Sequence, residues 1–90
     1  MTTSYIRDND LYFKEEENRA LVLKKDKKSI VELNEIGLLI WKLLKTKKTV
    51  DSIVKRILEE YKNTDNDDIK RDVEEFLNQC IKDSMVKKID

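Results

Sequence analysis

Apolar and polar residues alternate in the first third of the chain and recur at helical spacing in the rest. Leu11 and Phe13 fall on one side of a period of two, Tyr12 and Lys14 on the other, so residues 11–15 read as a strand. Glu16, Glu17 and Asn18 make a charged turn. Residues 19–24 are a second strand, with Leu21 and Leu23 facing one way and Ala20 and Val22 the other. Lys25-Asp26-Lys27-Lys28 is the next turn. Residues 29–33 are a third strand, with Val31 and Leu33 on one face and Ile30 and Glu32 on the other. Turns this short predict an antiparallel meander. Residues 1–10 read as a loose lead-in.

The pattern changes at Asn34, a favourable N-cap. Ile36, Leu39, Ile40 and Leu43 follow an i, i+3, i+4, i+7 stripe, widened by Leu38, Trp41 and Leu44. The helix over 35–45 is thus apolar on most sides and should lie centrally. Gly37 in its first turn predicts a close approach, because an unneeded glycine costs about 1 kcal/mol against alanine. Thr49 caps a second helix over 50–62, striped by Val50, Ile53, Val54, Ile57, Leu58 and Tyr61. Residues 63–67 are a polar loop. A third helix over 66–83 carries Ile69, Val73, Phe76, Leu77, Cys80 and Ile81. Met85 to Ile89 is a short terminal strand. The expected fold is α+β: an N-terminal three-stranded antiparallel sheet, then a three-helix bundle, in one domain over 1–90.

Composition excludes most chemistry. The chain has no histidine, which removes the usual general base and zinc ligand. Cys80 is alone, so no disulfide framework exists, and its place in an apolar stripe makes it a core residue. There is no glycine-rich phosphate loop and no nucleophile beside a base. The paired acids Glu59-Glu60, Asp67-Asp68 and Glu74-Glu75 sit on solvated helix surfaces, where nothing perturbs them. No cofactor is called for. No apolar run approaches the roughly 18 residues of a membrane span, and no signal-peptide core precedes the strands, so a cytoplasmic protein without membrane partners is expected. A binding module is favoured over an enzyme.

Two binding modes suit strands followed by helices. In the first, a winged helix–turn–helix reads nucleic acid with the third helix. Asp65 to Asp83 holds seven acids and three bases, which repel phosphates, so nucleic acid is disfavoured. In the second, an extended peptide adds to an exposed strand edge. A third strand lying beside the third helix would form a groove, the strand supplying register and the helix supplying pockets. A structural subunit that only stabilises a partner enzyme is a further alternative.

The residues Leu33-Asn34-Glu35 at the strand-to-helix hinge, Ile40-Trp41, Thr49 to Ile53 and Asp72 to Leu77, in this order and spacing, resemble the PqqD-like family. Members are small peptide-recognition domains in pathways that modify ribosomally made peptides. The resemblance covers residues 11–86. It implies a winged-helix-like fold that binds the leader segment of a precursor peptide along the third strand, on the third helix. The leader is then presented to a modifying enzyme, such as a radical S-adenosylmethionine enzyme or a leader peptidase. Carried onto this sequence, the peptide-binding groove is Lys28, Ser29, Ile30, Val31, Glu32 and Leu33 with Lys70, Val73, Glu74, Leu77 and Ile81. Phe76 reads as core. Two positions where the family often has glycine carry Lys45 to Lys48 and Lys82 to Met85 instead, which implies looser turns. The basic run Lys42, Lys45, Lys47, Lys48, Lys55 and Arg56 could dock an acidic enzyme surface, or be a solvated face only. The free edge also permits a homodimer.

Overall fold

The computed structural model describes residues 2–62 and 64–90. Its fold is α+β, in the order β1 (Ser4–Arg7), β2 (Phe13–Glu16), β3 (Arg19–Leu23), β4 (Ile30–Leu33), α1 (Glu35–Leu43), α2 (Val50–Glu60), α3 (Asn66–Lys82) and β5 (Val86–Ile89). The meander is β2-β3-β4, all antiparallel, so β4 is the third strand of the sequence reading. Glu17 and Asn18 make the first turn. The second is built around Asp26, whose carboxylate accepts from the N–H groups of Lys28 and Ser29 at 2.8 and 2.9 Å and from Ser29 Oγ at 2.9 Å. These bonds, that of the Lys28 N–H foremost, hold the Asp26 pKa below the ordinary aspartate value. Lys27 adopts a left-handed φ of 60°, with no glycine to ease it.

A second sheet corrects the sequence reading. The lead-in contains β1, which pairs antiparallel with β5, Ser4 opposite Ile89 and Arg7 opposite Val86. Ser4-Tyr5-Ile6-Arg7 has its two apolar residues side by side and no alternation, so it carries little local signal, and its partner lies at the other end of the chain. Tyr5 and Lys48 also exchange backbone bonds at 2.8 and 2.9 Å, so β1 is tied to the segment after α1 as well. Asn63, within the loop expected over 63–67, and Met1 lie outside the described residues.

The caps form as their residue types dictate. Asn34 Oδ1 accepts from the Gly37 N–H at 2.8 Å. Thr49 and Ser52 form a capping box on α2. Asp65 accepts from the N–H groups of Asp67 and Asp68 on α3. The inner face of the meander buries Ala20, Val22 and Leu33 against α1, whose Ile40 and Trp41 are buried in turn, as is its C-cap Leu44. Ile53 and Ile57 of α2, and Val73, Leu77 and Cys80 of α3, close the core. Phe13 meets Trp41 edge-on, 6.0 Å between centroids. Arg7 lies over both rings and donates to the Trp41 carbonyl at 2.9 Å. The central position expected for α1 is what the burial shows.

Candidate functional site

The meander has two outer strands, and the hydrogen-bond register says which backbone groups each leaves unpaired. The Lys24 N–H donates to the Ser29 carbonyl at 2.9 Å. Bonded and non-bonded pairs alternate in an antiparallel ladder. With Leu23 opposite Ile30 and Val22 opposite Val31, the alternation turns Val31 and Leu33 toward β3. Ile30 and Glu32 therefore aim their N–H and C=O groups away from the sheet. The side chain of Ile30 is 64% exposed. Glu32 is exposed and accepts from Arg19 Nη1 at 2.7 Å. Val31 is half-buried and Leu33 buried, so the inner side of this edge is apolar.

Helix α3 approaches the sheet near both ends of β4 and runs in the opposite sense to it. Near the start of β4, Lys24 Nζ meets Asp83 Oδ1 at the end of α3, 3.2 Å apart. At the far end, a Cβ on Gly37 would lie 3.2 Å from Phe76 Cε1 and 3.3 Å from Leu33 Cβ. Gly37 is thus the close approach expected from the sequence, and what it admits is the Phe76 ring. Between α1 and α3 a cleft of about 480 Å³ opens beside the end of β4. Ile40, Ile57, Ile69 and Val73 line it with Phe76, and Asp72, Glu75 and Gln79 stand on its α3 side.

The structure brings the strand half of the expected groove together and divides the helix half. Ser29 to Leu33 form or adjoin the edge, and the exposed Lys28 begins it. Val73 lines the cleft, while Leu77 is wholly buried core. Lys70 and Glu74 are on the other flank of α3, beside Thr2, Thr3, Tyr5 and the first turn of α2. Ile81 falls on that same stripe, at i+7 from Glu74, and packs half-buried on the core. The flank that borders the cleft carries Asp72, Phe76 and Gln79, none of which the sequence reading placed in the groove. An amphipathic stripe has two borders, and nothing along the helix itself says which one faces the strand.

Burial pushes the Cys80 thiol up to about 12, which leaves it un-ionised and inert near neutrality. Tyr61 is raised to about 12, first by donating its hydroxyl hydrogen bond to Glu35 at 2.7 Å. Among the described residues no group of three or more His, Cys, Asp or Glu is placed to hold a metal ion, and no helix is long and apolar enough to cross a membrane.

Comparison with known proteins gives one structural and one family match. A solved structure, TbiB1 in complex with the TbiA(beta) leader peptide, aligns with 91% of this chain and 94% of that one. Its TM-score is 0.80 at 22% identity, a likeness of fold. No curated protein matches the chain. The family model described as coenzyme PQQ synthesis protein D (PqqD) matches residues 19–86, which span β3 through the start of β5, and the chain belongs to the PqqD family.

Proposed function

We propose that this protein is a non-catalytic recognition module for the leader segment of a ribosomally made precursor peptide. The leader adds as a strand to the free edge of β4, and its inward side chains enter the groove toward α3. The observation that carries this reading is the pair of outward-facing residues, Ile30 and Glu32, on a strand edge that ends at a cleft with an apolar floor. Membership of the PqqD family and the shared fold of a protein solved with its leader peptide support it.

The energetics suit a module that binds and releases. Up to four backbone hydrogen bonds to Ile30 and Glu32 would contribute about 1 kcal/mol each. Two or three side chains in the groove would bring the interface to about 1,200 Å², the low end for specific complexes. A micromolar Kd, about −8 kcal/mol, then remains after the peptide is ordered.

In this reading the whole chain acts as one winged-helix-like domain in the cytoplasm. It presents the bound peptide to a modifying enzyme, and exposed Lys45, Lys47 and Lys55 supply a basic face for that partner. Titration with the precursor's leader peptide, followed by amide NMR, tests the core of the proposal. Shifts and slowed exchange at Ile30 and Glu32, with side-chain shifts at Phe76, are expected. Changes confined to α2, or none, would remove the proposal.

A further inference from the structure

The two ends of the β4 edge carry opposite free charge. At the start, Lys24 is tied to Asp83 and Lys25 to Asp8. Lys27 and Lys28 are exposed and, among the described residues, enter no ion pair. Asp26 beside them keeps its charge, but its carboxylate is held by the Lys28 and Ser29 N–H groups and Ser29 Oγ, so Lys24, Lys25, Lys27 and Lys28 still outnumber Asp8, Asp26 and Asp83 at this end. At the other end the cleft beside Leu33 and Gly37 has an apolar floor and no basic side chain in its lining. Asp72 and Glu75 stand on its rim, exposed and likewise without an ion pair among the described residues. The edge is therefore a strip of backbone donors and acceptors with cations at one end and anions at the other.

A strand pairing antiparallel, the stronger geometry, sets its N-terminal half against the end of β4 and its C-terminal half against the beginning. Resting on the strand-addition reading above, we infer that the site takes peptides with a fixed charge order: lysine or arginine upstream, aspartate or glutamate downstream. The stretch from Lys28 to Asn34 spans about 20 Å at 3.4 Å per residue, so the two charges sit about five to seven residues apart. Between them, one side chain in two enters the apolar groove. The charge order fixes direction and register, which the backbone bonds alone leave loose, because a one-residue slip would turn every inward side chain outward.

The test is a selection from displayed random peptides of about 15 residues, enough to cover that span, on the intact protein. Binders should carry basic residues upstream of acidic ones at the stated spacing. A synthetic binder with its two charges exchanged should lose about tenfold in affinity, the sum of several exposed charge contacts. The loss should shrink as salt rises from about 50 mM to about 500 mM. Lys27→Glu and Lys28→Glu combined with Asp72→Lys and Glu75→Lys should reverse the preference. Binders that shift the Ile30 and Glu32 amides but show no charge order, or tolerate the exchange within about twofold, overturn this inference and leave the strand-addition reading standing. A selection without binders, or binders that leave those two amides unmoved, overturns that reading and this inference with it.

Discussion

The two edges of the meander are built from the same kind of ladder and finished in opposite ways. On β2 the Leu23 N–H donates to the Tyr12 carbonyl at 2.9 Å, so by the same alternation Phe13 and Glu15 face the open side. Both side chains are engaged: Phe13 lies under Arg7 and against Trp41, and Glu15 accepts from Lys42 Nζ at 2.8 Å. On β4 the outward residues are an exposed isoleucine and a glutamate held only by Arg19 on the solvent side. The cleft at the end of β4 has an apolar floor of Ile40, Ile57, Ile69 and Val73, whereas the one at β2 is lined mainly by charged side chains, Glu15, Glu17, Lys42, Arg56 and Glu60 among them. Exposed edges invite unwanted pairing and are usually blunted by charge or cover. The contrast teaches that two edges with similar backbone groups are told apart by their side chains and by the polarity of the cleft beside each.

The strongest test of the β2 side removes its support. Trp41→Ala should lower unfolding stability by about 3–5 kcal/mol in urea denaturation, as expected for a large buried aromatic. Trp41→Phe should cost clearly less, because the indole Nε1 is buried without a hydrogen-bond partner. Next comes a direct contest between edges. Ile30→Pro removes an outward N–H and leaves the β3 bonds intact, so leader affinity by calorimetry should fall at least about tenfold, or 1.4 kcal/mol. Glu15→Pro, its counterpart on β2, should leave affinity unchanged; equal losses would end the distinction between the edges. Smaller again is Gly37→Ala. Its Cβ would press on Phe76, Leu33 and Asn34 Oδ1 at 3.2–3.3 Å, offsetting the roughly 1 kcal/mol gained in helix propensity. Stability should barely change while affinity drops several-fold, because Phe76 must move into the cleft.

The smallest effect is a pH dependence confined to the β4 end. The Asp26 pKa is depressed, so its bonds to Lys28 and Ser29 are complete above the ordinary aspartate value and are lost as pH falls through its lower folded value. The Lys28 and Ser29 amide signals should hold steady down to about pH 4 and move only below it. The Glu17-Asn18 turn of the other hairpin has no such carboxylate bond among those described, and its amides should not track that titration.

Most of the architecture was legible because it is locally encoded. The meander follows from a period of two and from turn residues, and α1 from a wide apolar stripe begun by Asn34. The exposed edge at Ile30 and Glu32 followed too, since an outer strand exposes alternate residues whatever covers its inner face. Two things were not legible, for the same reason. β1 exists because Val86–Ile89 and Lys48 come to meet Ser4–Arg7, and nothing within those four residues announces it. Which flank of α3 borders the cleft is fixed by where α1 lies, and both Lys70–Glu74 and Asp72–Phe76 border the buried stripe equally well along the sequence. Tertiary placement decided each, and local pattern could not.

The β1–β5 pairing has a consequence for how the fold can be joined to other proteins. Thr3 Oγ1 donates to Asp90 Oδ1 at 2.9 Å, so the strand that enters the fold and the strand that leaves it stand side by side. They do so on a sheet separate from the one that carries β4. A fold with neighbouring ends can be spliced into a surface loop of a larger chain, or tethered at one point, without being pulled apart. The β4 edge is on the other sheet, so under the proposed function a tether at the β1–β5 end would raise the local concentration of bound peptide around an attached catalyst.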